Sequence, residues 1–149
     1  MKPWERWLEM AQDSLQSARD LGSEHSISAH LRSAVSRYYY AAYQAVTAVL
    51  LYLSQIPPDN REAWSHAETP DFTVNVFARV LRSRKQRQHM QRELSTLYKM
   101  RCDADYVSIV TIDKDIVKTV GKSSRYIVRQ CEDILLGGRE DVRTRRSDC

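Results

Sequence analysis

Glycine and proline are scarce in this chain, with four of each in 149 residues. An all-β fold needs many tight turns built on those two residues, so the shortage points to long helices. Cysteine is scarce as well. Cys102, Cys131 and Cys149 are odd in number and far apart, and no Cys-x-x-Cys pair or histidine cluster accompanies them. That argues against a disulfide framework and against a zinc site, and it fits a reducing cytoplasm. Long hydrophobic runs are missing: the longest, about Ala45 to Leu53, is far too short to cross a bilayer, so no membrane association is expected. The opening "MKPWERWLEMAQD" is charged too early for a secretory signal.

Several familiar chemistries are missing from the sequence too. There is no glycine-rich phosphate loop, no His-Glu-x-x-His helix and no Gly-x-Ser-x-Gly elbow. His25, His30, His66 and His89 are dispersed. No metal and no cofactor is expected.

What remains is a pattern of helices. A chain of this length forms one domain with a core of its own. Residues 3 to 21 place Trp4, Trp7, Leu8, Ala11, Leu15, Ala18 and Leu21 at spacings of three and four. A second helix runs from about Ser26 to Leu53. Leu31, Val35, Tyr38, Ala42, Ala45, Val49 and Tyr52 form one stripe on it, and Tyr39, Tyr43, Val46, Leu50 and Leu53 a second. A helix apolar around most of its circumference is the central one. Pro57 and Pro58 break the pattern, leaving residues 54 to 68 as a loop that holds Trp64 and His66.

Thr69-Pro70-Asp71 reads as a helix start with a capping hydroxyl, followed by Phe72, Val76, Phe77, Val80 and Leu81. The polar "RSRKQRQH" reads as a loop before a helix of about Gln88 to Ala104, whose apolar line is Met90, Leu94 and Leu97. "YVSIV" is briefly extended, and Thr111 caps a last helix of about 112 to 136 that Gly137-Gly138 stops. Gly121 marks a close crossing or a mild kink. Residues 139 to 149 are a charged, disordered tail after a single domain of residues 1 to 138. The fold class is all-α, an up-and-down bundle of four to five helices.

Three stretches could carry chemistry. On the second helix, "SRYYYAAY" either buries its tyrosines as core aromatics, with Arg37 as an ion-pair or snorkelling residue, or presents Arg37 and Tyr40 to a cleft. In "RCDADY", Arg101 continues a buried apolar line, where a guanidinium without a partner costs on the order of several kcal/mol. Asp105, four residues on, or Asp103 can pair with it. Otherwise Arg101 is poised in a cleft, where its fork of donors can grip a phosphate. The third stretch, Phe72 to Arg92, contains no acid but carries Arg79, Arg82, Arg84, Lys85, Arg87 and Arg92. Charge runs are commonly just solvated faces, yet six cations without a counter-charge also suit an RNA backbone. The net charge of +4 is compatible with that and does not require it.

The two motifs together resemble the HEPN superfamily, in particular its small stand-alone bacterial and archaeal branch. Ser36, Arg37, Tyr39, Tyr40 and Ala41 match a Ser-Arg-x-Tyr-Tyr-Ala segment, and Arg101, Ala104, Asp105 and Tyr106 match a later Arg-x-x-Ala-Asp-Tyr segment. His66 sits where such proteins often carry a histidine between the two. The resemblance implies a four- or five-helix bundle that usually dimerises. It implies metal-independent cleavage of RNA, as in toxin–antitoxin and defence systems, often beside a neutralising nucleotidyltransferase. The family's signature is Arg, four to six residues, then His: an imidazole handles a proton while arginine stabilises the phosphorane.

This chain departs from that signature, because Tyr106 stands five residues after Arg101. A tyrosine of ordinary pKa, about 10, is a poor base at neutral pH but can donate a hydrogen bond. The strict pattern does occur from Arg84 or Arg82 to His89. The expected roles are phosphate stabilisation by Arg101, orientation by Asp105 and hydrogen-bond donation by Tyr106. Arg37, Tyr40, Arg82, Arg84, Lys85 and Arg87 would contact the RNA. The alternatives are a non-catalytic module that binds RNA, a nucleotide or a partner, and a structural subunit of a nucleotidyltransferase.

Overall fold

The computed structural model describes residues 1–23 and 27–147, the stretch 138–147 as helix backbone only. Among the described residues five α-helices follow one another: α1 (Pro3–Leu21), α2 (Ser28–Tyr52), α3 (Thr69–Asn75), α4 (Arg84–Tyr106) and α5 (Lys114–Ser147). Short 3-10 turns occupy Pro58–Asn60 and Phe77–Arg79, and no strand occurs among the described residues. The bundle is all-helical, as the periodicity predicts. None of its described helices is long and apolar enough to cross a membrane.

The core is built around α2, which packs against all four other helices. Every residue from Ala41 to Leu50 is buried. Its two apolar stripes merge there, and Ala41, Ala42, Ala45 and Ala48 keep that surface low enough for neighbours to close in. Each fully buried Val or Leu of this segment contributes about 1.5–3 kcal/mol by leaving water.

Polar groups on the central helix are satisfied by its neighbours. The Ser14 hydroxyl of α1 meets the Gln44 amide at 2.7 Å, and Ser124 Oγ of α5 donates to the Tyr38 carbonyl at 2.6 Å. Gly121 allows α5 to approach, because a Cβ there would lie 2.9 Å from Tyr38 Cζ. That glycine does mark a close crossing.

Helix boundaries differ from the sequence reading at several places. The visible start of α2 is Ser28, and the expected start Ser26 lies outside the described residues, as do His25 and Cys149. Thr69 is the first residue of α3 rather than its cap, and its hydroxyl donates to the Ser65 carbonyl at 2.8 Å. α3 ends at Asn75, and Phe77 is carried by the following turn instead.

α4 begins four residues earlier than expected, at Arg84. Ser83 Oγ accepts the Gln86 N–H at 3.2 Å, and arginine, lysine and glutamine are good helix formers even without an apolar stripe. "RKQRQH" is therefore the opening of a helix, not a loop. At α5 the cap is Asp113, not Thr111: its Oδ1 accepts the Ile116 N–H at 2.8 Å. That helix also runs through Gly137-Gly138 to Ser147, so the expected tail is helical up to there. Glycine costs about 1 kcal/mol inside a helix, but it stops one only when the backbone turns left-handed, and no glycine here has positive φ.

Candidate functional site

The C-terminal end of α4 is set by an arginine from another helix. The last carbonyls of any helix lack partners within it. Here Arg32 of α2 supplies them, donating to Ala104 O at 2.9 Å, Val107 O at 3.2 Å, Asp103 O and Ser108 O at 3.4 Å, and Val110 O. A cation at a helix C-terminus also suits the helix dipole. The expected extended "YVSIV" is in fact a turn wrapped around this guanidinium.

One turn from that clamp, the two motifs meet. Arg101 Nη2 donates to Tyr40 Oη at 3.1 Å, and Arg101 Nε lies 3.0 Å from Asp105 Oδ2. Of the partners considered for Arg101, Asp105 is the one it takes. Ser36 Oγ donates to the same Asp105 oxygen at 3.3 Å, so both motifs share one carboxylate. The guanidinium carbon lies 5.3 Å from the centre of the Tyr40 ring and 5.7 Å from that of Tyr106. Such contacts are attractive for a cation.

The pairing of Arg101 is incomplete. Its Nε–H is close to Asp105 but not directed at it, and among the described residues it is the buried side-chain polar atom without a hydrogen bond. The Arg101 side chain is only 13% exposed. Burial works against its charge, but Tyr40 and Asp105 more than offset that and hold its pKa above the ordinary arginine value.

A depression of about 540 Å³ opens beside this network, lined by Leu21, Ser33, Ser36, Arg37, Tyr40 and Asp105. Arg101 stands behind two of those walls. Arg37 is exposed and makes no hydrogen bond or ion pair among the described residues, so its charge is available to a ligand in the depression. A second hollow, of about 400 Å³, lies across Asp105 and includes Arg32 and Tyr106. Tyr106 is 75% exposed.

His66 has a place in the sequence pattern but no partner there; the fold provides several. Its ring lies among four tyrosines: centroids are 4.5 Å from Tyr43, 5.5 Å from Tyr39 and 6.0 Å from Tyr40, and it stacks on Tyr98 at 5.8 Å and 11°. Its Nδ1 is 2.6 Å from Tyr39 Oη. Burial, and then the charge of Arg101, lower the pKa of His66 below that of a free imidazole. Burial likewise raises the Tyr39 and Tyr43 phenols, keeping both protonated. The Tyr43 hydroxyl donates to the Trp64 carbonyl at 2.6 Å and thereby pins the loop that carries His66.

The basic segment lies elsewhere. Arg84 and Arg101 are about 25 Å apart along α4 at a rise of about 1.5 Å per residue. Arg82, Arg84 and Lys85 are exposed. Arg87 spends its donors on the protein: Nε to Val74 O at 2.9 Å, and Nη1 to Leu81 O at 2.8 Å and to Arg82 O at 2.9 Å. The Arg-to-His pattern ending at His89 brings no pair together. His89 turns toward α5, its ring 5.1 Å from Tyr126, and lies 4.0 Å from Glu93. Among the described residues, no three or more of His, Cys, Asp and Glu gather where a metal ion could be held.

The structure therefore brings Arg37, Tyr40, Arg101, Asp105 and Tyr106 together and leaves Arg82, Arg84, Lys85 and Arg87 at the far end of α4. No curated protein matches the chain. A family model described as the HEPN domain matches residues 4–134, which spans α1 to the inner part of α5 and includes both motifs. By that match, joined to its all-helical bundle, the chain belongs to the HEPN family.

Proposed function

We propose that this HEPN protein acts on RNA at the Arg101 site, as a metal-independent endoribonuclease of a toxin–antitoxin or defence system. The observation that carries the reading is the half-used guanidinium of Arg101. It is held on one side by Tyr40 and Asp105 and has a buried N–H without a hydrogen bond. Proteins rarely leave such a donor unmet, because it costs about 1–3 kcal/mol. Nε itself is closed to solvent, but Nη1 makes no hydrogen bond among the described residues and is not one of the buried atoms. A phosphate oxygen is a fitting acceptor there, and Arg37 in the adjoining depression supplies a second charge.

In the reaction, the 2′-hydroxyl of one nucleotide gives its proton to solvent as its oxygen attacks the adjacent phosphorus. The bond to the 5′-oxygen breaks as that oxygen takes a proton from solvent. The products are a cyclic 2′,3′-phosphate and a 5′-hydroxyl. Arg101 stabilises the charge that builds on the phosphorane oxygens, Asp105 fixes the guanidinium, and Tyr106 donates a hydrogen bond from the exposed rim. Arg82, Arg84 and Lys85 hold RNA that extends along α4, in one protomer or across a homodimer whose two Arg101 side chains share a groove. A nucleotidyltransferase encoded nearby is the fitting antitoxin.

The test is cleavage of mixed RNA by the purified protein in excess chelator. Cleavage is expected from the wild type and not from Arg101→Ala, with far-ultraviolet circular dichroism showing both folded. Equal cleavage by the two removes Arg101 from the site.

Tyr106, standing where the family signature has histidine, favours a second reading: a HEPN module that binds RNA, a nucleotide or a partner without turnover. Salt-sensitive RNA binding with no products after long incubation supports that alternative.

A further inference from the structure

The imidazole missing from the end of α4 has a counterpart in the loop between α2 and α3. His66 shares its ring contacts with Tyr40 and Tyr98, and Tyr40 also holds Arg101, so histidine and arginine belong to one cluster. The position of the proton on His66 follows from Tyr39. That tyrosine is 1% exposed, and its hydroxyl makes no other hydrogen bond among the described residues. If Nδ1–H donated to Tyr39 Oη, the phenolic proton would be buried without an acceptor, at about 1–3 kcal/mol. The phenol therefore donates to Nδ1, and the ring proton sits on Nε2.

Nε2 finds no acceptor among the described residues. Among the described residues the buried, unpaired side-chain polar atom is Arg101 Nε, so His66 Nε2 reaches solvent. The groups packed around the ring are Tyr39, Tyr40 and Tyr43 from α2, with Tyr98 and the Arg101 charge from α4. None of them supplies a negative charge that would make a second proton welcome. The result is a neutral N–H donor facing water beside a fixed cation, an arrangement complementary to an oxyanion.

We infer that His66 Nε2–H is a second hydrogen-bond donor to the RNA phosphate at the Arg101 site, with Tyr39 as the residue that positions it. The inference rests on the reading that Arg101 binds RNA. It assigns the imidazole to binding rather than to proton abstraction, because Nε2 already carries its proton.

The test combines binding with nitrogen-15 NMR of the imidazole. The probe is a fluorescent single-stranded 2′-O-methyl oligoribonucleotide, which lacks the hydroxyl needed for cleavage. The NMR is expected to show the Nε2–H form in the wild type and a mixture in Tyr39→Phe. His66→Gln places an amide nitrogen near Nε2, whereas His66→Asn places it near Nδ1. Binding within about threefold of wild type is expected for the glutamine variant and about tenfold weaker binding for the asparagine variant.

An Nδ1–H tautomer, or equal binding by the two variants, overturns the role of His66. If Arg101→Ala loses binding in that case, the proposed RNA site stands without His66. Absence of binding by the wild type overturns both.

Discussion

The two ends of α4 carry similar residues and use them in opposite ways. At the N-terminal end, Arg82, Arg84 and Lys85 are exposed on a helix end whose dipole is already positive, a placement that does nothing for stability. Arg87, one turn on, is consumed by three backbone carbonyls. At the C-terminal end, Arg32 from α2 is consumed in the same manner, while Arg101 has a charged partner, a tyrosine and an N–H to spare. Arginine therefore does three jobs within one helix and its surroundings: it closes backbone, it presents charge to solvent, and it waits half-paired in a site. Only its neighbours tell these apart.

The comparison breaks most readily at Arg101. Arg101→Ala is expected to lower RNA cleavage by roughly 10²–10³-fold, the usual consequence of losing one donor to a charged transition state. Gel analysis of products in chelator measures it. Arg32→Ala tests whether the clamp is structural. It leaves several carbonyls short of donors, and a loss of about 2–4 kcal/mol is expected in urea unfolding. Arg87→Ala serves as its counterpart at the other end and is expected to cost less, about 1–3 kcal/mol, since it frees fewer acceptors.

The triple change Arg82→Ala, Arg84→Ala and Lys85→Ala probes the exposed cations. Stability is expected to stay the same or rise by a few tenths of a kcal/mol as like charge leaves the helix N-terminus. RNA affinity should fall, and the slope of log affinity against log salt should shrink by about 0.7 for each phosphate no longer neutralised. An unchanged slope would reduce this end of α4 to a solvated face.

The smallest effect concerns pH. His66 has a lowered pKa when folded, so on acidification the unfolded chain takes the proton first. Its contribution to stability is complete above the ordinary imidazole pKa of about 6.5 and declines as pH falls through the lower folded value. Urea midpoints across that range should show the decline in the wild type and a weaker one in His66→Gln.

Much of the bundle was legible because burial leaves a period in the sequence. The stripes of α1 and α2 and the central place of α2 follow from spacing alone, and so does the Arg101–Asp105 pair, because four residues on a helix face one another. What stayed hidden lacked either an apolar period or a local partner. The first turns of α4 are polar all round, so nothing but Ser83 announced a helix. Arg32 acts on carbonyls some seventy residues away, and every residue offers a carbonyl, so no spacing marks the pairing. His66 is joined to Tyr39 by a loop whose path is set by tertiary contacts such as the Tyr43 hydroxyl on Trp64.

The clamp of Arg32 bears on how this protein can vary. Its guanidinium grips only main-chain oxygens around residues 103–110, so the side chains of that turn take no part in the grip. Val107 and Ser108 can then be exchanged for other residues without moving the end of α4, provided the backbone can follow the same path, whereas Val110 packs against the core and is held by that packing. Ile109, 90% exposed in the same turn, has the same freedom. A partner-specific surface could be rewritten there, next to the site, while Arg101 and Asp105 stay in register.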